Sequence, residues 1–259
     1  MRYNLGIAAM SAIGLLVLNF YAFGQENLLD MKDQRITLHM KKQPLGLVFR
    51  SLIENYDVPI GFEGSTLDSN PYDYNFDTNT PSEQPAHIFS KAIIEGESVF
   101  QPQEHWITID VENERLANVL NTIVNQMENY KWEINDGVVN IFPSRGRDPR
   151  FEKLMGLNIE NFAFERGKMI AVITSKIGDL PEFKKFLDEN NLHYSSDHVG
   201  ILVNTHSRVD RILGVDMHYS ELTFRDLLNK ITKTKRGGWI VRKSVFLGSK
   251  EKEFISIDI

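Results

Sequence analysis

Residues 36–60 read Ile36-Thr-Leu-His-Met-Lys-Lys-Gln-Pro44-Leu-Gly-Leu-Val-Phe-Arg-Ser-Leu-Ile-Glu-Asn-Tyr56-Asp-Val-Pro-Ile60. Ile36, Leu38 and Met40 alternate at period two, so one side of an extended strand is apolar. Leu45, Val48, Phe49 and Leu52 then recur at three- and four-residue spacing, which is the stripe of an amphipathic helix over Pro44 to Tyr56. Pro44 sits at the first turn, where a missing N–H costs nothing. Val58 to Phe62 reads as a second strand, with Gly61 and Gly64 punctuating its exit.

The same frame recurs. Ile107, Ile109, Val111, Leu116, Val119, Leu120 and Ile123 fall in register with the first set, and Val215, Met217, Tyr219, Phe224, Leu227, Leu228 and Ile231 repeat it again. The second copy predicts a strand at Trp106–Val111, a helix over about 114–130, and strands at 131–134 and 138–142. Asn135-Asp136-Gly137 between the last two is a hairpin signal, because Asp136 and Gly137 tolerate the positive φ that a tight turn needs. The chain from 157 onward predicts strand (157–164), helices (168–177 and 182–190), strand (215–219), helix (223–234) and strands (238–242 and 253–259). The fold class is therefore α+β, with two small domains each built from two strand-helix-strand modules. Pro143 to Arg150 mixes Pro, Gly and charge with no apolar period and reads as the linker between them. The expected domains are 25–145, with an insertion at 65–105, and 146–259.

Residues 1–24 read as a Sec-type signal peptide, with Arg2 ahead of an apolar run from Leu5 to Phe23 and small residues near its end. Nothing after it predicts a membrane span. The chain has no cysteine, which excludes disulfides, thiolate metal sites and a lipidated cysteine. A formal net charge of −6 gives no reason to expect nucleic acid.

The run from Ile36 to Ile60 and its counterpart from Ile107 to Phe142 resemble the short amino-terminal domain shared by secretins and TonB-dependent receptors, the STN domain. Pro44-Leu45 and Val58-Pro59-Ile60 match that family's helix entrance and second strand, and Leu116 stands at the second helix entrance. The 65–105 insertion departs from the family, which places only a few residues there. The resemblance implies a non-catalytic module that binds an envelope protein or another copy of itself. It implies the periplasm or the outer membrane of a Gram-negative bacterium as the location, and it brings no catalytic residues and no cofactor.

Other patterns stand beside it. Asp73, Asn75, Asp77 and Asn79 alternate as oxygen ligands do in a calcium loop, but Thr78 stands where glycine is needed and Gln84 where glutamate is needed. His193, Asp197, His198 and His206 carry zinc-ligand chemistry without zinc-site spacing. Ser249 and Lys252 have the spacing of a serine-lysine pair but lie in a polar Gly-Ser-Lys-Glu-Lys-Glu turn. Trp132, Trp239, Tyr130 and Phe224 continue apolar periods and read as core. Tyr72, Tyr74 and Phe76 lie in the insertion, outside the repeats, and either present an aromatic strip to a partner or cover a sheet edge. The alternative function is a periplasmic enzyme, or a metal- or ligand-binding protein, using the 65–105 insertion and the 193–206 loop.

Overall fold

The computed structural model describes residues 31–64, 98–100, 105–169, 172–195, 212–247 and 252–259. The chain is α+β. The first unit comprises β1 (Arg35–Pro44), α1 (Leu45–Tyr56) and β2 (Ile60–Gly64). A short strand β3 (Ser98–Phe100) precedes the second unit, which comprises β4 (Trp106–Arg115), α2 (Leu116–Asn125) and the hairpin β5 (Tyr130–Asn135) and β6 (Val138–Pro143). There follow α3 (Pro149–Met155), β7 (Asn158–Phe164), α4 (Val172–Gly178), α5 (Pro181–Glu189) and β8 (His193–Ser195). The last unit is β9 (Met217–Thr223), α6 (Phe224–Lys235) and the hairpin β10 (Gly238–Leu247) and β11 (Lys252–Asp258).

The repeat extends to the backbone. Lys42, Asn113 and Glu221 all have positive φ, at 47°, 52° and 53°, and each stands three residues before a helix. The kink turns the strand into the helix, and β1 and β4 lose register at it as a bulge does. The first N–H of each of these helices is satisfied from the partner strand's approach: Leu45 donates to the His105 carbonyl, Leu116 to that of Gln34 and Phe224 to that of Leu157, each at 2.8 Å. Lysine, asparagine and glutamate share no turn signature, so the kink is invisible in the sequence. It also shortens α2, which starts at Leu116 rather than the expected 114.

β1 pairs with β4 and β7 with β9 as separate antiparallel ribbons, and the other strands form one seven-stranded sheet in the order β5-β6-β2-β10-β11-β8, with β3 against the far end of β10. One sheet therefore runs through both halves of the chain. Successive side chains of a strand point to opposite faces. Ile240 joins the apolar cluster of α1, α2, β1 and β4, whereas Trp239 and Val241 join that of α3 to α6, β7 and β9. The two cores thus lie on opposite faces of the shared sheet, each capped by its own ribbon.

The segment 143–150, expected as a linker, instead begins a helix. Asp148 caps α3 by accepting from the Arg150 N–H, and Pro149 takes the first turn.

Candidate interaction surface along the central sheet

The halves meet where β10 lies parallel to β2, with Gly238 to Arg242 opposite Ile60 to Gly64. Gly61 faces Trp239 in this ladder, and a Cβ on Gly61 would overlap the indole ring. The glycine is what allows the ring to lie flat on the neighbouring strand. Trp239 is 0 % exposed, and its Nε1 donates to Asn229 Oδ1 at 2.8 Å.

Helix α6 covers its own core with Phe224, Leu227, Leu228 and Ile231 and also reaches over the first half's strands. Its Arg225 pairs with Glu63, which is 0 % exposed, and with Glu133 at 3.4 Å. Arg147 Nη2 reaches the other oxygen of Glu63 at 2.6 Å. Both guanidiniums lie over the Phe142 ring, Arg225 at 4.8 Å and Arg147 at 5.8 Å. Burial pushes the Glu63 carboxyl above its ordinary range, while the Arg225 and Arg147 charges pull it back. Lys233 reaches Asp136 in the hairpin turn at 2.8 Å.

A second cluster continues the seam. Asp148 is 2 % exposed and is held by Arg150 at 2.8 Å and Lys243 at 3.1 Å, and both cations also meet Glu253, at 2.5 Å and 3.2 Å. Burial would raise the Asp148 carboxyl, but hydrogen bonds from the Arg150 side chain and backbone and from Lys243 outweigh it and hold the group at about 2. Glu63 is paired with cations distant in the chain, whereas Asp148 is held by the neighbouring Arg150 and by the distant Lys243. That arrangement fixes one segment against another.

Among the described residues the sheet ends at β5 on one side and β8 on the other. Asp136 and Gly137 have φ of 49° and 72°, the two-residue turn expected of Asp-Gly, so Asn135 and Val138 form the hydrogen-bonded pair beside it. Alternation along an antiparallel ladder then turns the N–H and C=O of Ile134 and Trp132 away from β6, toward the open side. Trp132 is only half-buried, and its Nε1 donates to Asn121 Oδ1 at 2.8 Å. This pair on α2 and β5 is the counterpart of Asn229 and Trp239 on α6 and β10.

Of the residues singled out from the sequence, Tyr72, Tyr74 and Phe76 lie outside the described residues, as do Asp73 to Asn79, the signal peptide at 1–24, and Asp197, His198, His206 and Ser249. His193 begins β8, its ring 5.3 Å from that of Phe254. Lys252 opens β11 opposite Phe246 rather than lying in a turn. Among the described residues no group of three or more His, Asp or Glu is placed to hold a metal ion, and no helix is long and apolar enough to cross a membrane. Phe224 and Trp239 are fully buried, whereas Tyr130 and Trp132 are core only on one side.

Comparison with known proteins gave no match to a family model, to a curated protein or to a solved structure.

Sequence reasoning did not single out Glu63 or Arg225, and it read Gly61 only as punctuation at the exit of a strand. The recurrence of Asn121 and Asn229 in the repeat frame, each followed by a tryptophan after the helix, was a signal available for the Trp-Asn pairs.

Proposed function

We propose that the protein is a non-catalytic interaction module of the cell envelope, built from tandem units similar to the STN domain, which takes partners by adding a strand at the edge of its central sheet. The observation that carries this reading is the join between its own halves, where β10 adds in parallel to β2 and seals a tryptophan over a glycine. Strand addition draws affinity from main-chain hydrogen bonds and specificity from alternate side chains, and the β5 edge offers both through Trp132 and Ile134. The order strand-helix-strand followed by strand-helix-hairpin within 35–143 supports the resemblance. The periplasm or outer membrane as location rests on the amino-terminal sequence.

The test is capture of the full chain, crosslinked in its native envelope, beside the Ile134→Pro variant. Proline there removes a donor aimed at the open side and leaves the ladder to β6 intact. Recovery of an outer-membrane or secretion component should fall at least tenfold in the variant. Recovery undiminished by Ile134→Pro refutes strand addition at this edge.

A further inference from the structure

We infer that the β5 edge, unpaired among the described residues, takes the β8 edge of a second copy of this chain, so that molecules add head to tail through one sheet continuous from copy to copy. The inference rests on the strand-addition reading and names its partner.

The two halves place their strands in the same spatial order. In the first half the hairpin β5-β6 is followed across the sheet by β2, the strand after helix α1, in parallel with β6. In the second half the hairpin β10-β11 is followed by β8, the strand after helix α5, in parallel with β11. β10 therefore corresponds to β5, and β8 to β2. The internal join sets β10 against β2, a hairpin strand against a post-helix strand. Two unlike edges are used, so the contact is heterologous, and a single pair of copies leaves one edge of each kind over. Among the described residues the internal join leaves one edge of each kind at the ends of the sheet: β5, the hairpin type, and β8, the post-helix type.

Polarity agrees. β6, β2 and β10 run one way, and β5, β11 and β8 run the other. A second copy moved along the sheet offers its β5 to β8 in the parallel sense, the same sense in which β10 meets β2. A twofold pairing of like edges, β5 on β5, would be antiparallel, unlike the parallel join of β10 on β2.

The tryptophans supply an independent observation. Trp239 and Trp132 hold corresponding positions and make the same 2.8 Å bond to corresponding asparagines. Trp239, whose edge is occupied, is fully buried, whereas Trp132, whose edge ends the sheet among the described residues, is half-buried. Lys131 and Glu133 beside it are exposed, and charged side chains on an edge are how a sheet limits indiscriminate pairing.

The chain has no cysteine, so paired cysteines report the contact without background. The full chain carrying Lys131→Cys on β5 and His193→Cys on β8 is treated with a short bismaleimide and run denatured, and the untreated chain is weighed by light scattering across a hundredfold concentration range. The expected result is a ladder at multiples of the 29.8 kDa chain in the double variant. The solution mass should rise with concentration, and Ile134→Pro should abolish both effects. A single-chain mass at every concentration with no ladder overturns the inference, as does dimer formation by Lys131→Cys alone, which would mean β5 on β5. If the ladder is missing while Ile134→Pro still abolishes capture of an envelope protein, self-addition fails and strand addition stands. If neither depends on Ile134, both fail.

Discussion

Replacing Gly61 by alanine should destabilise the protein, although the same change in most strands is favourable. Glycine in a strand interior is worse than alanine by about 0.5–1 kcal/mol because its unfolded chain has more freedom to lose. Gly61 has no positive φ that would hold it as glycine, so backbone preference favours the substitution. Sterics oppose it. The new methyl would overlap Cε2, Cζ2 and Nε1 of Trp239, a ring with 0 % exposure and no adjacent space. Forcing a methyl into a filled core costs about 1–3 kcal/mol. Displacing the indole also breaks its bond to Asn229, which is itself fully buried, for about another 1–3 kcal/mol. The net expectation is a loss of about 1–5 kcal/mol. The cycle that isolates the cause adds Trp239→Leu: with the ring gone, Gly61→Ala should cost almost nothing, so the coupling should about equal the loss seen in the natural chain. Urea unfolding followed by far-ultraviolet circular dichroism measures all four proteins. A coupling below about 0.5 kcal/mol, or a more stable Gly61→Ala protein, would refute the claim that the indole is what requires this glycine.

Arg225→Met removes one of two cations from the buried Glu63 carboxylate and should cost about 3 kcal/mol, most of it recovered by adding Glu63→Leu, as read from denaturation midpoints. Trp132→Phe and Trp239→Phe make the same chemical change in two settings: the first should cost under about 1 kcal/mol and the second about 1–3, because Asn229 is buried and Asn121 is exposed. The Asp148 carboxyl, held near 2, lies below its unfolded range, so its cations stabilise the fold above about pH 4, and this contribution disappears as pH falls toward 2. The gap in stability between the natural chain and Asp148→Asn should be about 1–2 kcal/mol at pH 6 and should shrink steadily between pH 4 and pH 2.5; a gap independent of pH would show that helix capping, not ionisation, accounts for it.

Where apolar period and turn chemistry act locally, the sequence was readable. Ile36 to Leu52 and Ile107 to Ile123 form the strands and helices their spacing implies, and Asp136-Gly137 makes the turn. The start of α3 was missed although Asp148-Pro149 is a capping signal, because charge and proline on both sides resembled a linker. The kinks at Lys42, Asn113 and Glu221 had no signature, since the neighbouring ribbon strand and the helix it feeds impose them. The site was less legible than the fold. Trp132 and Trp239 are the same letter in the same frame, yet one is sealed and the other half-open. Their difference lies in which strand sits alongside.

The sequence by itself determined the alternation of strand and amphipathic helix, the α+β class and the repeat, because each depends on side chains within a few positions of one another. Only the tertiary structure decided that β10 lies on β2, that the two cores take opposite faces of one sheet, and that Glu63 is buried between two arginines far away in the chain. Those are choices among partners distant in sequence, made by fit: a glycine where a ring must lie, and a carboxylate where two guanidiniums converge. No local pattern carries that information, because the energy that selects the pairing exists only once both surfaces have formed.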